Sequence, residues 1–419
     1  MEVVFVEPPA PWLVRPYAQA PLGVLYLAAM LRRLGHDARL VRPQRPEDLG
    51  ELPHGCLAGF SPTTLEYPQA AAYARWIRQH RPDVLTVIGG PHASALPQCP
   101  GWPCVSNAWV VGPGEPVIED LVQDAAAGHP AFLYGRRPLK SLDDLPFPAR
   151  DLIPGRHGEG VFAFENGLSE NVITSRGCGF RCAFCASSHL WGGKAMYRSA
   201  ASVLEEVGQI VDSGCRQIRF VDDNFTVGRK RLKALCDGME SLGLEWHACA
   251  RADTLTPRTC ELLARGGCRE LSVGVESGDQ RVLDLLGKRT TVKTLERGCN
   301  QAEDAGIRVR VLLMAGVPGE SKDTPELTRD LLGRMRFSSV AVARFLPLPG
   351  TPVWHDPDRF DCEIISWDFR RYNQCVWTAE GRAEYEPLIC NRRLSERQQR
   401  SNVERLERYV EETGRMIHG

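Results

Sequence analysis

The sequence predicts an α/β protein: an amino-terminal doubly wound parallel sheet, then a partly closed (β/α)6 barrel, then a short carboxyl-terminal extension. Three observations predict it. Short apolar runs alternate with amphipathic, helix-period segments, the pattern of parallel strands covered by crossover helices. A proline-rich stretch, "LKSLDDLPFPARDLIPG" at residues 139–155, breaks that alternation, because Pro146, Pro148 and Pro154 rule out a continuous helix. The length of 419 residues suffices for two or three packed domains. The expected organisation is an α/β domain at 1–138, a linker at 139–169, the barrel at 170–355 and the extension at 356–419.

In the amino-terminal part, "EVVFVEPP" is a short apolar strand and "PLGVLYLAAMLRRLGH" an amphipathic helix stopped near Gly35. "DARLVRP" and "CLAGFS" read as strands, "YPQAAAYARWIRQHRP" as a helix, "VLTVIGGPH" as a buried strand ending in two glycines, and "AWVVGPGEPVIEDLVQDAAAG" as strand, turn and helix. "VRPQRPEDLGELPHG" is short and proline-punctuated where a full doubly wound unit would place a helix. Ligands of such sheets bind beyond the carboxyl ends of the strands, where "GFSPTT" and "IGGPHAS" fall. Downstream, strand-like runs occur at "NVITSRG", "QIRFVDD", "EWHACARAD", "ELSVGVES", "RVRVLLMAG" and "SVAVARFLPLP". Helical segments such as "SVLEEVGQIVDSG", "RKRLKALCDGMESLG" and "VKTLERGCNQAEDAG" lie between them, which fits the barrel. The last stretch carries "SWDFRRYNQCVW" and a helix "SERQQRSNVERLERYVEETGRM", a cap or packing extension.

The charge balance, 51 basic against 52 acidic side chains, gives no reason to expect a nucleic acid or an anionic membrane as partner. No run approaches the ~18 apolar residues of a spanning helix, and "MEVVFVEPPAPWLV" lacks the layout of a signal peptide. A cytoplasmic location is expected. In a reducing compartment, a tight group among the 15 cysteines points to metal rather than disulfides.

Only Cys178, Cys182 and Cys185, in "RGCGFRCAFCASS", form such a group; the other twelve are expected to be mostly buried small hydrophobes. The loop follows the first barrel strand and so lies at the carboxyl-terminal mouth, where barrels do chemistry. Three thiolates can hold an iron–sulfur cubane with one iron left open. Zinc is the competing reading, since His189 follows Cys185 closely enough to complete a four-ligand set.

"CGFRCAFC" resembles the signature of the radical S-adenosylmethionine (SAM) superfamily, with an aromatic just before the third cysteine. That resemblance implies a [4Fe-4S] cluster on Cys178, Cys182 and Cys185, SAM on the open iron, and reductive cleavage to a 5'-deoxyadenosyl radical. It implies Phe184 near the adenine, and Asp222 of "FVDDNF", with Asp223 beside it as a second candidate, as acceptor for the methionyl ammonium. By the same resemblance Arg251 of "ARAD" pairs with the methionyl carboxylate, Glu276 and Ser277 of "VGVES" hold the ribose hydroxyls, and Gly316 and Gly319 of "MAGVPGE" allow close backbone approach. The cofactors implied are the cluster and SAM; the partners are a small-molecule substrate and a one-electron donor such as flavodoxin or ferredoxin.

The amino-terminal half is similar to the cobalamin-binding-type domain that precedes one subgroup of this family, on "APLGVLYLAAMLRRLGH", "AGFSPTT", "VIGGPHAS", "VGPGEPVIEDL" and "LDDLPFPARDL". Cobalamin is therefore a further candidate cofactor, and methyl transfer to carbon one candidate reaction, although the D-x-H-x-x-G element that supplies a histidine to cobalt is missing from the sequence. The trimmed amino-terminal domain also resembles the radical SAM diol dehydratase of apramycin-type aminoglycoside biosynthesis. On that resemblance, radical dehydration of a sugar or aminoglycoside-type diol is the favoured net reaction. Asp223, His247 and Asp253 are its candidate acid or base by strand position, and Arg310, Arg344 or the Trp-rich carboxyl-terminal segment its candidate substrate contacts. A third class, an electron-carrying module, would complete its cluster with a fourth cysteine and need no SAM pocket.

Overall fold

The computed structural model describes the whole chain except residues 11, 14–16, 18, 98–104, 154–157, 160–167, 375–376, 379–380 and 417–419. Cys99, Cys104, Cys375 and Pro154, and part of the expected linker, thus lie outside the described residues. The chain divides into two compact units, Met1–Pro11 with Arg15–Gly158, and Trp12–Val14 with Glu159–Gly419.

The first unit contains β1 (Glu2–Val6), α1 (Leu22–Arg33), β2 (Asp37–Val41), β3 (Leu57–Phe60), α2 (Tyr67–His80), β4 (Leu85–Ile88), α3 (Gly90–Ala95), β5 (Ala108–Val110), α4 (Ile118–Ala126) and β6 (Leu133–Tyr134). Its six strands run in the order β2-β1-β3-β4-β5-β6, and every adjacent pair is parallel. The order reverses between β1 and β3, a switch point of the kind that leaves a crevice outside the strand ends. Between β2 and β3 the chain makes only a short 3₁₀ turn, Pro46–Glu51, as the prolines there dictate. Two elements differ from expectation. The segment after β4 turns into the short helix α3, which Gly90 permits by taking φ +80° with its hydrogen against Ser61. Residues 139–153, expected as linker, pack on α1: Ala149 N donates to Leu25 O at 3.1 Å, and Leu142, Leu145 and Ala149 are buried.

The second unit carries β7 (Gly158–Glu159), β8 (Leu168–Val172), β9 (Ser175–Arg176), α5 (Ala186–Leu190), β10 (Met196–Tyr197), α6 (Ala200–Asp212), β11 (Gln217–Phe220), α7 (Arg229–Leu242), β12 (Glu245–Ala250), α8 (Pro257–Arg265) and β13 (Cys268–Glu276). It continues with α9 (Gln280–Leu285), α10 (Val292–Asp304), β14 (Arg308–Ala315), α11 (Thr324–Arg334), β15 (Ser339–Arg344), α12 (Pro352–His355), β16 (Cys362–Ile364), β17 (Trp377–Thr378), β18 (Gly381–Arg382), β19 (Ile389–Asn391) and α13 (Glu396–Glu412). The sheet order is β15-β14-β13-β12-β11-β8-β7, with β8 and β11 to β15 all parallel, so the six expected strands form one open, barrel-like wall.

Strand alternation sorts the side chains of this wall. Ile218, Phe220, Trp246, Ala248, Leu271, Val273, Val309 and Val311 point outward and pack with Leu232, Leu235 and Met239 of α7, Leu263 of α8 and Leu295 of α10. The intervening positions, among them Arg219, His247, Glu270, Ser272 and Arg310, face the other way and make the inner wall polar. The extension docks through α13, where Arg344 of β15 donates from Nε to Glu407 Oε1 at 2.8 Å with both side chains buried. Cys56, Cys215, Cys236, Cys260, Cys268, Cys299 and Cys362 are buried, as expected of small hydrophobes; Cys249 is half-buried and Cys390 exposed.

Candidate active site

The cysteine loop begins where β9 ends and its third thiol lies at the amino cap of α5. The loop is built from below. Asp222, just past β11, is buried and accepts from Thr174 N at 2.7 Å, Ser175 N at 3.2 Å and Ser175 Oγ at 2.8 Å, and also from Thr174 Oγ1. Arg198 and Arg231 add donors, to Ile173 O at 2.9 Å and Thr174 O at 3.1 Å. Gly177 turns the chain at φ +84°; a Cβ there would lie 2.3 Å from Lys194 O, so only glycine fits.

Cys182 is the buried member of the three, with Cys178 and Cys185 half-buried. Arg251 closes over it: Nη1 is 3.9 Å from Cys182 Sγ, and the guanidinium carbon stands 3.7 Å from the Phe180 ring centroid. Nη2 also donates to Lys288 O at 2.8 Å, which ties the end of β12 to the turn after α9. That turn holds the loop directly, since Ala183 N donates to Leu286 O at 2.8 Å. Burial pushes the Cys182 thiol up, and the positive charges of Lys288 and Arg251 pull it back toward the thiolate.

Lys288 is buried and donates from Nζ to Glu276 Oε1 at 2.7 Å. Glu276 takes φ +66°, a conformation uncommon outside glycine, where β13 slips register against β14. Gly274 makes room for the pair: a Cβ there would lie 2.4 Å from Glu276 Oε1 and 2.8 Å from Lys288 Nζ. Asp223 reaches solvent yet is crowded enough that desolvation raises its pKa, while Ser187 Oγ donates to its Oδ2 at 2.6 Å. Phe184 packs with Met314, Leu285 and Trp354 against a small apolar cluster.

The structure thus brings Cys178, Cys182, Cys185, Phe184, Asp223, Arg251 and Glu276 to one end of the sheet and gives other expected residues different work. Both oxygens of Asp222 are committed to the loop base. Asp253 forms a two-pronged pair with Arg251, at 3.1 and 2.9 Å, and is no free acid or base. His247 lies deep in the wall, its Nε2 2.9 Å from Ser272 Oγ, and burial holds its pKa well below the imidazole range. Arg310 is likewise deep, 3.0 Å from Glu270, and Arg344 is spent on α13. Ser277 Oγ accepts from Asp279 N at 3.1 Å in a local turn. At Gly316 and Gly319, both at positive φ, a Cβ would meet Tyr385 Oη at 2.4 Å and Leu285 Cδ2 at 2.3 Å; these glycines serve packing.

Sequence reasoning missed Lys288, Arg198, Arg231 and Glu320. Glu320, within "MAGVPGE", is buried and accepts from Gly316 N at 2.9 Å and Val317 N at 3.1 Å, which fixes the turn after β14. Burial pushes its pKa up to about 7 despite those bonds. A carboxyl raised in the folded state binds a proton that the unfolded chain has released, so its stabilising proton is held below the ordinary value and lost as pH climbs through the folded one. Glu320→Gln is therefore expected to gain stability on wild type by on the order of 3 kcal/mol between about pH 4.5 and pH 8, read from denaturation midpoints across that range.

The donor set fits the groups expected from the sequence. Three thiols on one loop suit an iron–sulfur cluster with an open iron. Charges of both signs nearby, Arg251 and Lys288 with Glu276 and Asp223, suit a zwitterion such as SAM. For the zinc reading, His189 points Nε2 at Cys182 O, 3.3 Å away, and among the described residues no three Cys, His, Asp or Glu side chains are arranged to hold a single ion. No helix among the described residues is long and apolar enough to cross a membrane.

Residues 172–332 match the family model of the Radical SAM superfamily. An uncharacterized methyltransferase of Pyrococcus horikoshii is 27% identical over 385 residues, 84% of this chain and 82% of that protein. The radical S-adenosylmethionine methyltransferase TsrM from Kitasatospora setae, solved with cobalamin and a [4Fe-4S] cluster, has the same fold over 100% of this chain and 91% of its own, with TM-score 0.73 at 17% identity. The cobalamin-dependent S-adenosylmethionine radical enzyme OxsB matches 79% of this chain and 51% of its own, with TM-score 0.62 at 16% identity. Cysteine loop, parallel wall and family model converge on the same residues: the chain carries a radical SAM domain, which implies a [4Fe-4S] cluster and SAM as cofactors, and is a radical SAM enzyme.

Proposed function

We propose that the protein is a cobalamin-dependent radical SAM methyltransferase acting on carbon in a small molecule, with the cluster on Cys178, Cys182 and Cys185. The observation that carries this reading is the likeness of the chain, over its full length, to an enzyme that holds both cobalamin and a cluster. The cofactors supply a 5'-deoxyadenosyl radical and a transferable methyl group. The chain's residues bind and orient: Arg251 and Lys288 favour thiolate at Cys182 and offer positive charge to a carboxylate, and Asp223 offers a solvent-facing acceptor at the mouth. In the first unit, His92 is buried against Tyr67, ring centroids 3.9 Å apart, with its Nδ1 3.2 Å from Thr64 Oγ1. Burial lowers its pKa to about 3. This histidine is committed to the core and is not offered as a ligand to cobalt.

Dehydration, favoured from sequence, has no observation on its side: two of its three candidate acid–base groups, Asp253 and His247, are committed elsewhere. The test needs no substrate. Anaerobically reconstituted protein is mixed with cobalamin, desalted, reduced, and given methyl-labelled SAM. Retained stoichiometric corrinoid that acquires the label is expected. Protein that keeps no corrinoid but still forms 5'-deoxyadenosine on reduction would overturn methyl transfer and return a cobalamin-free reaction to first place.

A further inference from the structure

We propose that Lys288, with Glu276 as its counter-ion, sets the reduction potential of the cluster held by the cysteine loop. The inference rests on the assignment of that cluster to Cys178, Cys182 and Cys185, and not on methyl transfer.

A three-cysteine cluster is an anion whose potential follows net charge, hydrogen bonding to sulfur and solvent exposure. Lys288 supplies charge at close range in a place water does not reach. Its side chain is 7% exposed, and Nζ is 5.8 Å from the ring centroid of Phe184, the residue before Cys185. Its main chain is fixed on both sides of the same thiol: Lys288 O accepts from Arg251, itself 3.9 Å from Cys182 Sγ, and Leu286 O accepts from Ala183 N. At short range and low local dielectric, one charge acts strongly on another.

The protein invests structure in this ion pair. Gly274 leaves the space that any side chain would fill, and Glu276 takes a left-handed backbone to reach the ammonium. Strain of this kind persists only where the surroundings enforce it, and such positions cluster at functional sites. Arg251 has its own partner in Asp253, and its guanidinium stacks on Phe180. Lys288 with Glu276 is thus a second, separately adjustable pair beside the cluster, and its two members have opposite effects. The ammonium favours the reduced, more negative cluster; the carboxylate opposes it.

The experiment is a redox titration of the cluster, followed by electron paramagnetic resonance, on full-length reconstituted protein without SAM, cobalamin or substrate. In Lys288→Gln the reduced-to-oxidised ratio at a fixed potential is expected to fall about tenfold, a shift of about 59 mV toward negative values for one electron. Glu276→Gln is expected to shift it about as far in the opposite direction, and Lys288→Arg to stay near wild type. Midpoints that stay put in both glutamine variants, or move the same way in both, overturn the proposal. If Lys288→Gln loses iron, Glu276→Gln carries the test, because it leaves the ammonium in place. Loss of iron from every variant makes the pair structural and ends the proposal, while wild type that binds no cluster instead sinks the cluster assignment beneath it.

Discussion

Cys182→Ala protein is expected to leave anaerobic reconstitution without a [4Fe-4S] cluster and to form 5'-deoxyadenosine from SAM only at background. Of the three thiols, this one is buried, and it is the one Arg251 closes over. Its removal leaves two sulfur ligands, and no fourth cysteine stands in the loop to replace it. Two controls separate chemistry from packing. Cys236→Ala, on the buried face of α7, is expected to cost about 1 kcal/mol of stability with the cluster intact, the usual result of trimming a small buried side chain. His189→Ala is expected to keep the cluster too, since its ring meets a carbonyl rather than the thiols. A Cys182→Ala protein that assembles the cluster and cleaves SAM at the wild-type rate would remove the loop from the chemistry.

The wall was legible because its strands obey a period of two. In "ELSVGVES", Leu271, Val273 and Val275 form the outward face, and Glu270, Ser272, Gly274 and Glu276 the inner one. The cysteine loop stood out by its spacing, and the family resemblance turned that group into a cluster site. What surrounds it was not, because the partners are far apart in sequence and meet main-chain atoms: Arg231 reaches Thr174 across 57 residues, and Arg251 reaches Lys288 O across 37. Such contacts leave no periodicity to read. Lys288 is one ordinary lysine in "GKR" until the turn after α9 is folded back on Arg251.

The adjacent acids Asp222 and Asp223 were a different case, because the signal was present and went unused. Ile218 and Phe220 pack outward with the helices, so alternation puts Asp222 in register with the core and Asp223 in register with the inner wall. Burial follows that order: Asp222 is buried and Asp223 exposed. The family motif put Asp222 first and Asp223 second as ammonium acceptors, whereas the strand's own period favours the reverse order.

Asp222→Ala is accordingly expected to destabilise the fold and lose the cluster together. The carboxylate satisfies two main-chain N–H groups and two hydroxyls at Thr174 and Ser175, and it stands 3.8 Å from the guanidinium of Arg231. Each donor stranded without water costs about 1–3 kcal/mol, and removing one partner of a buried charge pair costs about 3–5 kcal/mol. The loss is expected to be of that second size, read as a shifted denaturation midpoint of cluster-free protein. Because residues 174 and 175 lead directly into the loop that starts at Gly177, relaxing them also lets the thiols spread, and iron content falls. A ligand-contact role predicts the opposite pattern. If Asp222 chiefly received the ammonium of SAM, the alanine protein would keep its stability and its iron and lose only SAM affinity. Asp223→Ala should come closer to that second pattern, because the carboxylate receives only Ser187 Oγ on its exposed side and one main-chain N–H, that of Gly177, against the four donors gathered on Asp222. Measuring stability, iron and SAM binding on the two neighbours therefore assigns scaffold to one acid and ligand contact to the other.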